Sequence, residues 1–150
     1  MILKCLSVIG TEQIRLTKTI YEQVIKLAGT SKFSKAQVVI ERAIAVTQEL
    51  MKDKSEGVQF YEVDATGEKF SCNFVFEIPE IKEMAEERQR VSRSIYEDVC
   101  GLTASKTINE ALPHLQLALN VYQLIFDSVD KGSKFFSVDA QGNTCQIKFI

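Results

Sequence analysis

Hydrophobic and polar positions alternate, switch to a helical period and alternate again, and this cycle runs twice along the chain. In residues 11–16, Glu12, Ile14 and Leu16 fall on one side and Thr11, Gln13 and Arg15 on the other, which predicts a short strand. Thr17 is placed to cap a helix whose Ile20, Val24 and Leu27 form one apolar stripe, and Gly29 stops it. Ser34 is placed to cap a second helix over residues 35–54. Its broad apolar set (Val38, Val39, Ile40, Ala43, Ile44, Val46, Leu50 and Met51) predicts burial on more than one face. Gly57 ends that helix. Two alternating segments, 58–63 and 68–75, then flank Asp64-Ala65-Thr66-Gly67. There the Asp carboxylate accepts backbone N–H groups and the Gly takes positive φ, predicting a hairpin with a type I turn and a Gly bulge. A calcium loop at Asp64 is excluded, because no further acidic ligands follow at alternate positions.

The second cycle is a copy of the first. Sliding the chain by 75 residues matches 18 of 75 pairs without a gap, well above the roughly one in sixteen expected for average composition. Ile20-Tyr21-Glu22 falls on Ile95-Tyr96-Glu97, and Val63-Asp64-Ala65 falls on Val138-Asp139-Ala140. Residues 1–11 match nothing at this offset, so the repeated unit proper starts near Glu12 and Glu87. The second copy predicts a strand near 88–91, helices at 93–103 and 109–129, and a hairpin over 134–150 turning at 139–142. Pro113 is expected in the first turn of its helix, where a missing N–H is tolerated. The acidic stretch 76–86 reads as a short helical linker between a first repeat, 1–75, and a second, 87–150. The fold class expected is therefore α+β, with neither half able to bury its core alone.

Composition narrows the chemistry. The chain has 150 residues, 45% hydrophobic and 25% charged, which excludes a disordered or low-complexity protein. Eighteen basic against 20 acidic residues give a net charge of −2, which argues against a histone-like polyanion binder but not against a local basic surface. The charge is unevenly held: residues 1–75 carry 10 basic and 9 acidic groups (+1), and residues 76–150 carry 8 and 11 (−3). No apolar run reaches the roughly 18 residues of a membrane span, and the opening Met1-Ile2-Leu3-Lys4-Cys5-Leu6 is too short for a signal-peptide core. A soluble, cytoplasmic protein with no membrane partner is expected. Cys5, Cys72, Cys100 and Cys145 are too widely spaced for a zinc site, and a chain of this composition can build a core without a disulfide framework, so they read as buried small hydrophobes; His114, the one histidine, reads as structural. No phosphate loop, nucleophile elbow or zinc-protease motif is present, so no catalytic residue, metal or cofactor is expected, and an enzyme is disfavoured.

The run Gln13-Ile14-Arg15-Leu16-Thr17-Lys18-Thr19-Ile20-Tyr21-Glu22-Gln23-Val24 resembles the strand and first helix of the ribbon–helix–helix DNA-binding proteins. Ser34-Lys35-Ala36-Gln37 and Ile40-Glu41-Arg42-Ala43-Ile44 resemble the start and body of that family's second helix. The trailing hairpin resembles an extension found in some bacterial members. In that family two chains pair their strands into an antiparallel ribbon that lies in the DNA major groove. The resemblance implies that the two copies here form the ribbon within one chain, as a pseudo-dimer acting in transcription regulation on double-stranded DNA. It makes Gln13, Arg15, Arg88 and Arg90 the candidate base readers, since Arg suits guanine and Gln suits adenine by bidentate geometry. It makes Thr17, Ser34, Lys35 and Asn109 the candidate phosphate anchors, at or near helix N-termini.

The second copy departs from the pattern: Gln89 takes the inward place of Ile14, and Asn109-Glu110 replaces Ser34-Lys35. A carboxylate at a phosphate anchor repels the backbone it would hold. With the acidic second half and the hairpin aromatics Phe60, Tyr61, Phe135 and Phe136, this keeps a second reading open. In it the scaffold is a protein–protein or small-ligand binding module, or a homo-oligomer, without DNA binding.

Overall fold

The structure, a computed structural model, describes residues 10–149. The fold is mixed α and β, with two antiparallel sheets. In chain order the elements are β1 (Thr11–Thr17), α1 (Lys18–Ala28), α2 (Phe33–Ala36), α3 (Val38–Ser55), β2 (Gln59–Val63) and β3 (Lys69–Cys72). They continue with β4 (Ala85–Ser92), α4 (Arg93–Cys100), α5 (Ile108–Asp130), β5 (Lys134–Val138) and β6 (Thr144–Ile147).

Local chemistry sets most boundaries. Thr17 Oγ1 accepts from Ile20 N (3.1 Å) to cap α1, and Ser92 Oγ accepts from Ile95 N (3.2 Å) to cap α4. Gly29 closes α1 at φ 68°, with its N–H bonded to the carbonyls of Ile25 and Lys26. In the first hairpin, Asp64 Oδ1 accepts from Thr66 N (2.9 Å) and Glu68 N (3.0 Å); Asp139 Oδ1 does the same for Gln141 N (3.0 Å) and Asn143 N (2.8 Å) in the second. Gly67 and Gly142, at φ 87° and 84°, complete these turns.

Several boundaries depart from the sequence expectation. The helix expected over 35–54 begins instead as the single turn α2, followed by Gln37 and then α3. Ser34 therefore lies inside a helical turn rather than capping the long helix. The cause is Phe33, which is buried and stacks on Tyr21 (5.7 Å between ring centroids), drawing the chain into a helix early. Gln37 interrupts it: its Nε2 donates to Ser34 O (2.9 Å), and its Oε1 accepts from Ser92 N (2.8 Å) across the fold.

The stretch 76–86 is not a helical linker: residues 73–84 run without helix or strand, and β4 starts at Ala85. Pro79 disfavours helical backbone at Ile78. The segment is held by side chains instead, with Phe74 buried, Phe76 and Ile81 packed on the two cores, and Glu83 bonded to Thr19. The ladder with β1 pulls β4 upstream of the expected 88–91, since Ala85 pairs with Thr17. α4 ends at Cys100 rather than 103, at the weak helix former Gly101. Pro113 is the sixth residue of α5, in its second turn rather than its first, where the carbonyl of exposed Asn109 forgoes a partner.

The first sheet is the ribbon β1–β4. Its Cα partners include Thr11↔Ser92, Gln13↔Arg90, Ile14↔Gln89 and Arg15↔Arg88. Between Leu16↔Glu87 and Thr17↔Ala85 the register shifts, leaving Glu86 as a bulge. The second sheet has the order β3-β2-β5-β6, and its central pair β2–β5 is registered on Tyr61↔Phe136. Residues facing each other at the centre of each sheet, Ile14/Gln89 and Tyr61/Phe136, are 75 positions apart in the chain.

Two apolar clusters hold these layers. The first joins Ile14, Leu16 and Val91 under the ribbon to α1, α2, α4 and the N-terminal parts of α3 and α5. The second gathers Phe60, Phe74 and Phe135 under the four-stranded sheet against Leu50, Leu117, Val121 and Ile125. The long helices α3 and α5 contribute to both clusters, and buried Thr47 donates from α3 to Ala118 O of α5 (3.4 Å). No helix of the described residues is long and apolar enough to cross a membrane.

Candidate nucleic-acid interface

Burial divides the ribbon into two faces. Ile14, Leu16 and Val91 are buried beneath it, whereas Gln13, Arg15, Arg88 and Arg90 are all exposed on the other side. This is the period-two alternation of a strand packed on one face. The register sets Gln13 opposite Arg90 and Arg15 opposite Arg88, so the four predicted base readers form one contiguous quartet.

The charges on that face are open. Among the described residues the ion pairs are Lys18–Glu22 (3.7 Å) and Arg93–Glu12 (3.0 Å), and none involves Arg15, Arg88 or Arg90. Arg90 Nη1 donates to Thr11 Oγ1 (3.3 Å). Arg15 and Arg88 face each other as like charges, an arrangement that costs a ribbon stability. Lys18 and Arg93, the first residues of α1 and α4, are exposed beside the ribbon, but each already faces a carboxylate, Glu22 and Glu12. Acids lie close by as well: Glu12 in β1, Glu87 in β4, Glu86 at the bulge and Glu83 at α1. Glu83 Oε2 accepts from Thr19 Oγ1 (2.7 Å) and Oε1 from Thr19 N (3.1 Å), which holds its carboxyl below the usual carboxylate range.

The predicted phosphate anchors are scattered by comparison. Thr17 is 1% exposed and its hydroxyl is committed to capping α1, so its side chain is closed to a phosphate. Ser34 and Lys35 are exposed on α2, and Asn109 is exposed as the second residue of α5. The cap positions of α2 and α5, Lys32 and Thr107, make no side-chain cap bond, unlike those of α1 and α4. Their first N–H groups are therefore not occupied by a cap side chain. Glu110 in the first turn of α5 opposes an anion there.

Sequence reasoning missed two residues that shape the ribbon. Gln37 ties α2 to the end of β4, and Glu83 ties the approach to β4 onto α1. Both act across long sequence separations, and nothing in their local pattern marks them.

Other chemistry-bearing residues lie elsewhere. Cys72 and Cys100 are half-buried and Cys145 is exposed on the edge strand β6, so these three are not the core cysteines expected; Cys5 lies outside the described residues. Burial and the nearby Glu62 push the Cys72 thiol up to about 11, which suppresses its nucleophilic thiolate. His114 is half-buried against Thr47, Leu117 and Ala118 in a small cleft. Of the hairpin aromatics, Phe60 and Phe135 are core residues, while Tyr61 and Phe136 stack at 5.1 Å on the opposite face of the sheet, with the Lys69 ammonium over the Tyr61 ring.

Compared with protein-family models, curated proteins and solved structures, the chain matches none of them.

Proposed function

We propose that this protein binds double-stranded DNA through the β1–β4 ribbon, laid in the major groove, and acts as a transcriptional regulator. In this reading the chain is a ribbon–helix–helix-like pseudo-dimer whose two 75-residue repeats share one core around a pseudo-two-fold axis. Both sheets are registered on residue pairs 75 positions apart, and the caps of α1 and α4, Thr17 and Ser92, are likewise equivalent, which supports the reading.

The observation that carries the function is the exposed quartet Gln13, Arg15, Arg88 and Arg90, with three arginines free of ion pairs among the described residues. A two-stranded ribbon is narrow enough for a major groove about 12 Å wide, and its outward side chains meet the base edges. Phosphates would be held by the backbone N–H groups near Ser34 and Lys35 and near Asn109. The weakened anion site at Glu110 makes the contact asymmetric, with the first repeat gripping more strongly.

The test is a titration of mixed-sequence duplex DNA at low and moderate salt, with the Arg15→Ala/Arg88→Ala/Arg90→Ala variant alongside. The expected result is binding that weakens with salt and is largely lost in the variant. Binding without salt dependence, or untouched by the three substitutions, overturns the proposal and leaves the scaffold as a module for protein or small-molecule partners.

A further inference from the structure

The four-stranded sheet covers the second apolar cluster with one face, and no further layer lies on its other face among the described residues. Phe60 and Phe135 point inward, so alternation turns Gln59, Tyr61 and Val63 of β2 outward, with Lys134, Phe136 and Val138 of β5. The ladders set one outward row straight across the sheet: Ser71, Tyr61, Phe136 and Gln146. Lys69 and Lys134 both stand opposite Val63 in the next row, and exposed Lys148 follows β6. The geometry points to this face as a platform for single-stranded nucleic acid, with Tyr61 and Phe136 stacking on bases and the three lysines meeting phosphates.

Charge selects an anion. No Asp or Glu stands on the outward side of the four strands, and Glu62 shares the inward side with Phe60. The acids at the rim are Glu68, exposed just before β3, and the turn residues Asp64 and Asp139. Both turn carboxylates accept N–H groups of their own turns. Among the described residues no ion pair involves Lys69, Lys134 or Lys148. The Lys69 ammonium rests instead 4.1 Å from the centre of the Tyr61 ring.

The face also offers what an unpaired base needs. A shallow hollow of about 570 Å³ opens over Gln59, Tyr61, Lys69, Ser71 and Val138. It presents a ring, a cation, an amide and a hydroxyl together. An aromatic ring stacks on any base, and amides and hydroxyls hydrogen-bond the edges that an unpaired base exposes. When a base takes the Tyr61 ring, the Lys69 ammonium is released to the neighbouring phosphate. Duplex DNA does not suit this face. Its bases are closed in their own stack, and four strands at about 4.8 Å spacing, with side chains, are wider than the roughly 12 Å major groove. An acidic peptide gains main-chain hydrogen bonds at a sheet edge rather than on a face, and brings no ring system to Tyr61 and Phe136.

This surface is separate from the ribbon, and the test reads it separately. Fluorescence anisotropy follows a labelled, unstructured single-stranded oligonucleotide, in DNA and RNA versions, binding the full-length chain across a salt series. The variants are Tyr61→Leu/Phe136→Leu, Lys69→Gln/Lys134→Gln/Lys148→Gln and a control, Lys26→Gln/Lys52→Gln/Lys82→Gln, which removes equal charge from exposed positions off the sheet. The parent is expected to bind both strands in a salt-dependent way. The aromatic variant is expected to bind about 5-fold or more weakly. In the sheet-lysine variant the log–log salt slope is expected to be shallower by about 2, with the control close to the parent. The lysine variant replaces only exposed side chains, so it reads the proposal even where the aromatic variant fails to fold. No binding by the parent, or equal losses in the sheet-lysine variant and the control, overturns the proposal. A folded aromatic variant that binds like the parent also overturns it, and leaves Tyr61 and Phe136 as a cross-strand packing pair. Displacement of the oligonucleotide by poly-glutamate of equal charge overturns it in favour of an acidic polypeptide. Arg15→Ala/Arg88→Ala/Arg90→Ala is expected to keep single-strand binding; its loss there assigns the strand to the ribbon and overturns the sheet face as its site.

Discussion

Arg88→Glu is expected to make the protein more stable and, under the proposed function, to weaken its binding to DNA. In the ribbon Arg88 stands opposite Arg15, both exposed and without an ion-pair partner among the described residues. Opposite charges facing each other across an antiparallel pair contribute about 0.2–1 kcal/mol, and like charges cost a similar amount. Reversing one charge therefore swings the pair by up to about 2 kcal/mol, which solvent exposure reduces to roughly 0.5–1 kcal/mol. For a chain of this length that raises Tm by about 1–4 °C at low salt. The gain shrinks as added salt screens the pair, since the screening length falls from about 30 Å at 0.01 M to about 3 Å at 1 M. Under the proposed DNA-binding function, the same substitution would remove a base contact of about 1–3 kcal/mol, roughly 5–150-fold in affinity. Thermal denaturation at two salt concentrations and DNA titration together check both halves. Arg15→Glu/Arg88→Glu restores a like-charge pair and is expected to lose the gain, so the single and double variants form a coupling cycle. An Arg88→Glu protein no more stable than the parent at low salt, or a cycle with no coupling, refutes the electrostatic reasoning. Unchanged DNA affinity refutes the ribbon as the interface.

Two further outcomes concern the scaffold. Thr17→Ala removes the side-chain acceptor that caps α1 and is expected to cost about 0.5–2 kcal/mol in urea denaturation, with Thr17→Ser retaining most of the stability; Ser92→Ala is expected to cost a similar amount at α4. Asp64 and Asp139 are held below their ordinary value of 3.8: at Asp64 first by the Thr66 hydroxyl, at Asp139 first by the Asn143 backbone N–H. Carboxyl groups depressed by folding contribute stability that is present above that ordinary value and is lost as pH falls through the still lower folded values. Denaturation midpoints followed from pH 7 downward are therefore expected to drop below about pH 4, and an Asp64→Asn/Asp139→Asn variant to show a flatter acid limb. An unchanged limb in that variant places the acid sensitivity elsewhere.

The regular elements were legible because their signals are local. Thr17, Gly29 and Asp64 act on backbone groups within four residues, so the cap, the stop and the turn could be read from neighbouring letters. The strand alternation of residues 11–16 likewise named the outward Gln13 and Arg15 before the partner strand was known. Where the reading failed, a distant contact outweighed a local preference. Phe33 is drawn into the core against Tyr21 and starts a helix ahead of Ser34. The acidic stretch 76–86, helical by composition, is drawn out by Pro79 and by anchors on both cores.

By itself, the sequence determined the period of each segment, the caps and turns, and the 75-residue spacing of its two matched halves, all consequences of which side chains neighbour which along the chain. Only the tertiary structure decided that Arg15 meets Arg88, that Gln13 meets Arg90 and that Tyr61 stacks on Phe136. Pairing between strands separated by some 75 residues depends on long-range loop closure and on a shared apolar core, and neither is encoded in any local window. That pairing turned separate polar positions into one exposed, like-charged surface.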